Sequence, residues 1–233
     1  MMHLFYNPQI EGEGFNLEEQ ESKHAIRVLR LVRGDRVIVV DGKGAWYEAR
    51  IADDHPKRCS LKIESGVQGY QPLPYSLHLA VAPTKNLDRF EWFLEKATEI
   101  GITEISPLIC RRSERRQLKM ERLEKILISA MKQSLKAYLP VLNRPITMEE
   151  FLRTERQGTL GIAHCYPLER KGIQELAHSG NYTCLVGPEG DFTEAELTEA
   201  LEAGYVPFHL GKSRLRTETA AVYITTAISL IHT

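Results

Sequence analysis

Apolar and polar residues alternate with a period of two along residues 36–64, as expected of strands with one buried and one solvated face. The apolar positions are Val37, Val39, Tyr47, Ala49, Ile51, Leu61 and Ile63. Two of these segments are separated by Asp41-Gly42-Lys43-Gly44, whose residues tolerate the positive φ angles of a hairpin turn. The pattern predicts a small antiparallel, barrel-like unit near the N-terminus.

One helix is expected to interrupt this unit over residues 17–31, with Asn16 as its N-cap. The stretch Gly66–Pro74 has no apolar period and contains several Gly and Pro residues, so we interpret it as a linker. The predicted domains are therefore residues 1–70 and residues 74–233.

The pattern beyond the linker changes to short apolar runs that alternate with helical segments. The segments are 77–82, 89–100, 102–109, 120–138, 160–165, 183–186, 193–203 and 217–231. This alternation predicts an α/β domain with a parallel sheet and crossover helices. In such sheets ligands bind beyond the carboxyl ends of the strands.

Polar, basic and glycine-rich segments follow the predicted strands and are expected to converge on that edge. They are Pro83-Thr84-Lys85, Arg111-Arg112-Ser113, His164-Cys165-Tyr166, Gly187-Pro188-Glu189-Gly190-Asp191 and Gly211-Lys212-Ser213-Arg214. The sequence therefore predicts a ligand site made from these loops.

The loop Gly187–Asp191 joins a strand to a helix, and Thr193 and Glu196 have the spacing of a capping box. It lacks the G-K-[ST] ending of a phosphate-binding loop, and Glu189 and Asp191 would repel a polyphosphate. The loop suits a nucleoside without phosphate, and Gly190 is expected to have a positive φ angle. A purely structural turn is the alternative.

A second strand, glycine loop and helix start occupies residues 210–221, with Thr217 as the expected N-cap. A basic surface loop before a C-terminal helix is the alternative. Two such loops in one predicted sheet favour a shared ligand site.

The motifs V-G-P-E-G and F-T-x-x-E, followed by L-G-x-x-x-L-R-x-E-T-A, resemble those of the bacterial 16S ribosomal RNA (uracil-N3)-methyltransferases, an RsmE-type family of the SPOUT superfamily. The resemblance covers the whole chain. His24–Arg30 with Gly34-Asp35 is similar to the family's N-terminal RNA-binding unit, and Glu95–Gly101 is similar to its first catalytic-domain helix.

The resemblance implies a PUA-like domain followed by a SPOUT α/β domain with a C-terminal trefoil knot. It also implies a homodimer that uses S-adenosylmethionine to methylate N3 of a uridine in 16S rRNA or the assembled small subunit. The cofactor-binding residues it implies are His164, Leu185, Gly187, Pro188, Glu189, Gly190, Leu210, Gly211, Ser213, Arg214, Leu215 and Arg216.

The chain departs from the family pattern at three places. Ser213 and Arg214 stand where Arg and Ile are common, and Asp191 replaces the last glycine of G-P-E-G-G. Residues 132–136 read K-Q-S-L-K where many members have E-Q-x-x-R.

Methylation of uracil N3 requires loss of a weakly acidic proton, so a general base or a stabilised uracil anion is needed. Arg112 and Arg216 are the candidates for stabilising the anion. Glu218 and Glu189 are the candidates for accepting the proton or for lying near the sulfonium of the cofactor. The alternative for Glu218 is an exposed glutamate at a helix start, without a role in the reaction.

Basic residues in both predicted domains indicate a phosphate-binding track, although each one singly also fits a solvated surface. Arg27, Arg30 and Arg33 are spaced by three on the predicted helix. The full set of candidate RNA-binding residues is His24, Arg27, Arg30, Arg33, Lys43, Arg111, Arg112, Arg115, Lys132 and Lys136.

Composition limits the classes of function further. A net charge of −1 argues against a protein that coats nucleic acid non-specifically. The four cysteines are widely separated, so neither a metal site nor a disulfide framework is expected. No apolar run approaches the roughly eighteen residues that span a bilayer, and the start lacks a signal-peptide pattern, so we expect a cytoplasmic protein without membrane contact.

Three alternatives remain from the sequence. The first is a methyltransferase of the same fold that acts on tRNA. The second is a non-catalytic RNA-binding or assembly factor. The third, a nucleotide hydrolase, is disfavoured because the phosphate loop and metal carboxylates are missing.

Overall fold

The computed structural model describes residues 3–10, 12–176 and 180–232. The chain divides into two compact units. The first unit contains Met1–Pro72 together with Met131–Leu139, and the second contains Leu73–Ala130 and Pro140–Thr233.

A five-stranded sheet with the order β1-β3-β4-β5-β2 forms the first unit. Its elements are β1 (Leu4–Tyr6), β2 (Gly14–Asn16), α1 (Glu19–Lys23), a π-helical turn (His24–Val28), β3 (Arg36–Val40), β4 (Trp46–Asp53) and β5 (Ser60–Val67). The expected antiparallel pairing holds except between β1 and β3, which are parallel. Strand β5 continues to Val67, past the expected start of the linker.

The predicted hairpin turn between β3 and β4 is confirmed. Gly42 and Gly44 have φ angles of 75° and 105°, in the region that favours glycine. The Asp41 carboxylate accepts hydrogen bonds from the backbone N–H groups of Lys43 and Ala45, at 2.7 and 3.0 Å. The Asp41 side chain therefore stabilises the turn through hydrogen bonds to the turn's own backbone.

Strand β3 is buried on both faces, although its sequence was expected to have one solvated face. Val37 and Val39 pack into the core beside the helix, whereas Ile38 and Val40 pack against Met131. The alternation could not reveal the second layer because residues 131–139 are distant in sequence.

The helix predicted over residues 17–31 is shorter, and Asn16 is not its N-cap. Asn16 ends β2 and pairs with Ser60, so its backbone belongs to the sheet. The helix begins at Glu19 and ends as a π-helical turn at Val28, and Arg30 has a left-handed φ of 59°. The three-residue spacing of the arginines therefore does not define one helical face.

The second unit contains an eight-stranded sheet with the order β11-β13-β10-β12-β6-β7-β8, in which β9 also pairs with β7. Its strands are β6 (Ser76–Val81), β7 (Glu104–Ile109), β8 (Val141–Leu142), β9 (Ile146–Thr147), β10 (Thr159–Ala163), β11 (Lys171–Gly172), β12 (Asn181–Val186) and β13 (Val206–His209). Its helices are α2 (Leu87–Ile100), α3 (Met120–Gln133), α4 (Met148–Leu152), a 3₁₀ turn (Ile173–Leu176), α5 (Glu194–Glu202) and α6 (Thr217–Ile231). The last turn of α3 belongs to the first unit.

Every pair in this sheet is parallel, which confirms the predicted parallel α/β domain. Val81 pairs with Val186, Val186 with Ala163, and Ala163 with Phe208. These four residues form one row near the carboxyl ends of their strands. The loops that follow β6, β10, β12 and β13 therefore leave the sheet at the same edge.

Candidate functional site

A cleft of about 310 Å³ lies at this edge of the second unit. The expected convergence of the strand-end loops is thus observed for β10, β12 and β13. Ten of the predicted cofactor-binding residues line it: His164, Gly187, Pro188, Glu189, Leu210, Gly211, Ser213, Arg214, Leu215 and Arg216. The volume is at the lower end of the range for small-molecule sites.

The two remaining predicted cofactor residues do not line the cleft. Leu185 is fully buried in the core below it, together with Phe192 and Leu197. Gly190 is exposed, and its carbonyl oxygen accepts a hydrogen bond from Arg112 at 2.8 Å.

The expectation that Gly190 has positive φ is wrong, because the next residue, Asp191, has the left-handed φ of 61°. A Cβ atom built on Gly190 would lie 3.5 Å from the Cβ atom of Arg112, an ordinary contact. The Gly211 loop does have the positive φ, at 106°.

Asp191 joins two of the loops. One carboxylate oxygen accepts from the backbone N–H of Cys165 and the other from that of Phe192, each at 2.8 Å. Aspartate tolerates the left-handed region because its short side chain hydrogen-bonds locally. Asp191 therefore links the β10 and β12 loops.

His164 is buried in the wall of the cleft, with 5% of its surface exposed. Its Nδ1 atom accepts a hydrogen bond from the backbone N–H of Tyr166 at 3.1 Å. Its Nε2 atom is buried and has no hydrogen-bond partner among the residues that the structure describes. Burial and, second, the nearby Arg170 guanidinium lower the pKa of the imidazole, so the neutral form is favoured.

The helix starts at the site follow their sequence patterns only in part. The Thr193–Glu196 capping box is confirmed, with both reciprocal hydrogen bonds present. Thr217 is not the N-cap of α6, because that position belongs to Arg216. The Thr217 hydroxyl instead donates to the carbonyl oxygen of Gly187 at 2.9 Å, which joins the β12 loop to the start of α6.

The candidate catalytic residues lie in different surroundings. Arg216 is exposed in the cleft wall, whereas the Arg112 guanidinium donates to the carbonyl oxygens of Gly190 and Phe192. Glu218 is 7% exposed, lies outside the cleft lining and faces Arg89, with 3.9 Å between Oε1 and Nε. The alternative of an exposed helix-start glutamate is therefore wrong for Glu218.

The basic segment Arg111–Arg116 is attached to the same edge of the sheet. The backbone N–H of Arg111 donates to Glu196 at 2.7 Å, and Arg115 donates to the carbonyl oxygen of Lys85 at 3.0 Å. Lys85 in turn donates its backbone N–H to Glu189, at 2.9 Å. The arginine segment is thus bound to α5 through the backbone of Arg111, and to the β12 loop through Lys85.

Five of the candidate RNA-binding residues are exposed in the first unit: His24, Arg27, Arg30, Arg33 and Lys43. Lys132 instead pairs with Glu21, with 2.8 Å between Nζ and Oε2. Lys136 is half-buried, and burial lowers the pKa of its ammonium group. These two lysines are less available to a phosphate than the other five residues.

Several residues of the cleft wall were not among the predicted cofactor-binding residues: Cys165, Arg170, Asp191, His209 and Thr217. Cys165 and Asp191 belong to the strand-end loops that were expected at the site, and His209 ends β13, so a position at this edge of the sheet is the signal for all three. Arg170 lies seven residues after β10, and no sequence signal marks it.

The described part of the chain contains no cluster of His, Cys, Asp or Glu residues able to hold a metal ion. Cys59, Cys110 and Cys184 are free and buried, and Cys165 is free and exposed. Within residues 3–10, 12–176 and 180–232, no helix is both long and apolar enough to cross a membrane.

Two family models match the chain. Residues 71–229 match a model described as an RNA methyltransferase domain, and residues 17–64 match one described as an RNA methyltransferase PUA domain. The first match alone covers more than half of the sequence.

Individual relatives agree with these matches. Ribosomal RNA small subunit methyltransferase E of Synechocystis sp. is 31% identical over 201 residues, which is 83% of this chain and 65% of that protein. A probable rRNA-methyltransferase from Porphyromonas gingivalis has a TM-score of 0.93 and 39% identity, covering 99% of this chain and 98% of that one. The Neisseria gonorrhoeae small subunit methyltransferase E, solved with S-adenosyl methionine, has a TM-score of 0.90 and 30% identity, with the same coverages.

Proposed function

Because the chain belongs to the RNA methyltransferase family, we propose that it transfers a methyl group from S-adenosylmethionine to N3 of a uridine in 16S rRNA. The observation that carries the proposal is the cleft formed by the loops after β10, β12 and β13. S-adenosylmethionine supplies an electrophilic methyl group on a positively charged sulfonium. The chain's own residues bind and orient it.

The cleft suits this cosubstrate rather than a nucleotide. Two carboxylates, Glu189 and Asp191, line it together with three arginines, Arg170, Arg214 and Arg216. Groups of both signs suit S-adenosylmethionine, which carries a cationic sulfonium and an anionic carboxylate. The buried Nε2 atom of His164 lacks a partner among the described residues, as expected where a bound nucleoside completes the hydrogen bonding.

For the chemical step we propose that Arg216 stabilises the negative charge that develops on the uracil oxygens. It is exposed at the cleft and precedes α6. Arg112 contributes less to stabilising this negative charge, because its guanidinium already donates hydrogen bonds to two backbone carbonyls. Glu189, which is exposed at the cleft, fits the role of proton acceptor better than the buried Glu218.

Substrate capture is assigned to both predicted domains. We propose residues 1–70 as a PUA-like RNA-binding domain and residues 74–233 as the SPOUT methyltransferase domain. His24, Arg27, Arg30, Arg33 and Lys43 provide phosphate contacts in the first, and Arg111 and Arg115 provide them in the second. The exposure of these side chains supports the assignment.

The finer fold and assembly are also proposals. The knot would thread the C-terminal chain through the loops that meet at the cleft, and the bond between Thr217 and Gly187 is consistent with that threading. The homodimer would use the exposed apolar residues Trp92 and Tyr223 of α2 and α6, two helices that pack together. An enzyme acting on rRNA would work in the cytoplasm.

Methyl transfer to three RNA substrates tests the function. Assembled small ribosomal subunits, naked 16S rRNA and total tRNA are incubated with labelled S-adenosylmethionine, and the modified nucleoside is identified after digestion. We expect 3-methyluridine in small-subunit RNA only. Methylated tRNA would reassign the substrate, and cofactor binding without transfer to any RNA would indicate a non-catalytic assembly factor.

A further inference from the structure

The loop between β6 and α2 contains one residue whose backbone is bound from two sides. The N–H group of Lys85 donates to Oε1 of Glu189 at 2.9 Å, and the carbonyl oxygen of Lys85 accepts from Nη2 of Arg115 at 3.0 Å. Lys85 is 104 positions from Glu189 and 30 from Arg115 in the sequence, so the fold brings the three together. The backbone of Lys85 therefore joins the arginine segment to Glu189.

The residues on either side of Lys85 hold this loop in place. Thr84 is fully buried, and its hydroxyl donates to the carbonyl oxygen of Asn86 at 2.6 Å. Asn86 is the N-cap of α2, and its side chain accepts from the N–H of Asp88 at 3.1 Å. The direction of the Lys85 N–H group is therefore set by the loop and not by the Lys85 side chain.

The contact with Lys85 leaves Glu189 with one bound and one open oxygen. Glu189 is exposed and lines the cleft, and its Oε2 atom accepts no hydrogen bond from the residues that the structure describes. A general base needs an oxygen that is free and held within reach of the proton it removes. The bond to Oε1 restricts the carboxylate, and Oε2 stays free.

Arg115 is exposed and uses only one of its nitrogens for Lys85. Its Nε and Nη1 atoms have no hydrogen-bond partner among the described residues. A guanidinium group presents five N–H donors in a planar fork that matches a phosphate. One Arg115 side chain can therefore hold the Lys85 carbonyl and an RNA phosphate at the same time.

We propose, on the premise of the methyltransferase function above, that Arg115 and Lys85 are positioning residues that align Glu189 when RNA is captured. A phosphate bound by Arg115 fixes the guanidinium, which fixes the Lys85 backbone and, through it, the carboxylate. In the step that follows, the N3 proton of uracil passes to Oε2 of Glu189. The bond between N3 and the methyl carbon forms as the bond between methyl and sulfur breaks, and the sulfur keeps the electron pair.

Steady-state methyl transfer to assembled small ribosomal subunits, with labelled S-adenosylmethionine at saturation, separates this role from phosphate binding. Loss of a phosphate contact alone raises KM for the subunit, whereas a misplaced base lowers kcat at saturating subunit. We expect Arg115→Ala to lower kcat at least about tenfold. Calorimetry should show its affinity for S-adenosylmethionine within about twofold of the wild type, which also shows that the variant is folded.

The matched control is Arg116→Ala. It removes the same charge from the same segment, but the Arg116 guanidinium contacts the carbonyl oxygen of Arg111 and not Lys85. We expect its kcat to be unchanged. Glu114→Gln is a second control, because it breaks the exposed ion pair between Glu114 and the Lys85 side chain, which contributes little in water. Equal kcat losses in Arg115→Ala and either control overturn the inference.

A double-mutant cycle tests whether Arg115 acts through Glu189. Glu189→Gln keeps an acceptor for the Lys85 N–H but cannot take up the proton, and we expect it to lower kcat about a hundredfold or more. Adding Arg115→Ala to this variant should then cost less than about twofold, because residues that act through one group are not additive. A full loss in the double variant, or wild-type kcat in Glu189→Gln, overturns the inference. A wild type that methylates no RNA contradicts the proposed function itself, and the inference then falls with it.

Discussion

The hydroxyl group of Thr217 donates a hydrogen bond to the carbonyl oxygen of Gly187 across 2.9 Å. The two residues are separated by 30 positions in sequence, and both line the cleft. Thr217 is buried, so this bond is shielded from water and holds the β12 loop against the first turn of α6. It fixes the distance between two of the loops that form the cleft.

We expect Thr217→Val to weaken both folding and cofactor binding. The substitution preserves shape but removes the donor, which leaves the carbonyl oxygen of Gly187 unpaired at a cost of about 1–3 kcal/mol. Urea unfolding and calorimetry with S-adenosylmethionine measure the two effects. Thr217→Ser retains the hydroxyl and should recover most of both. If valine and serine variants behave alike, the hydrogen bond has no such role.

The Arg112 guanidinium bridges the arginine segment to the carbonyl oxygens of Gly190 and Phe192. Both hydrogen bonds are donated by one nitrogen, Nη1, and Arg112→Lys keeps the positive charge on a side chain that ends one bond short of that position. We expect both Arg112→Lys and Arg112→Ala to lose about tenfold in cofactor affinity, because each disrupts these two hydrogen bonds. A lysine variant with wild-type cofactor affinity would contradict the bridging role.

The sequence predicted the parts of the site that depend on local patterns or on sheet geometry. Thr193 and Glu196 lie three residues apart, and parallel strands necessarily present their loops at one edge. The contacts of Thr217 and Asp191 were not predictable, because each joins segments that lie far apart in sequence. The shortened first helix was missed because the pairing of Asn16 with Ser60 overrides its capping preference.

Stability should decrease when the pH falls below the ordinary histidine range, because of His78. The His78 side chain is 7% exposed and hydrogen-bonded to Ser106. Burial lowers the pKa of its imidazole to about 4; the Glu104 carboxylate opposes this shift and the Arg156 guanidinium adds to it. The folded-state pKa of His78 lies below the unfolded value of 6.5, so the contribution of the neutral imidazole to the free energy of unfolding is complete above pH 6.5. It is lost as the pH falls towards 4.

The loss amounts to about 3 kcal/mol, and urea unfolding at a series of pH values measures it. His78→Gln has no group that titrates in this window and should show a flatter pH profile between 6.5 and 4. An identical slope in wild type and His78→Gln would assign the acid sensitivity to other groups.

The proposed homodimer depends on apolar residues exposed on α2 and α6. Tyr223 is 43% exposed and Leu230 is 71% exposed, so both apolar side chains of α6 are available to a partner. We expect the double variant Tyr223→Glu with Leu230→Glu to sediment as a monomer while the wild type is dimeric at micromolar concentration. Leu201→Glu, at an exposed position of α5, serves as control and should remain dimeric. A wild-type monomer would contradict the proposal directly.

Exposed arginines of the first unit should contribute to RNA capture but not to cofactor binding. Arg27 lies in the π-helical turn and Arg30 follows it in a left-handed conformation, and both side chains are exposed. Charge reversal of both should weaken binding to 16S rRNA. Each lost phosphate contact should lower the slope of log K against log salt concentration by about 0.7–0.9. Affinity for S-adenosylmethionine should be unchanged, because the cleft residues all belong to the second unit.

The matched control for this variant is Arg58→Glu with Lys62→Glu. It makes the same change in net charge at exposed positions of the first unit that are outside the predicted RNA-binding set. If the affinity depends only on overall charge, the two double variants should weaken RNA binding equally. We expect a larger loss from Arg27 and Arg30, because phosphate contacts act over short range once salt screens the longer-range field. Equal losses, or a reduced cofactor affinity with circular dichroism unchanged, would contradict the assignment of RNA capture to this surface.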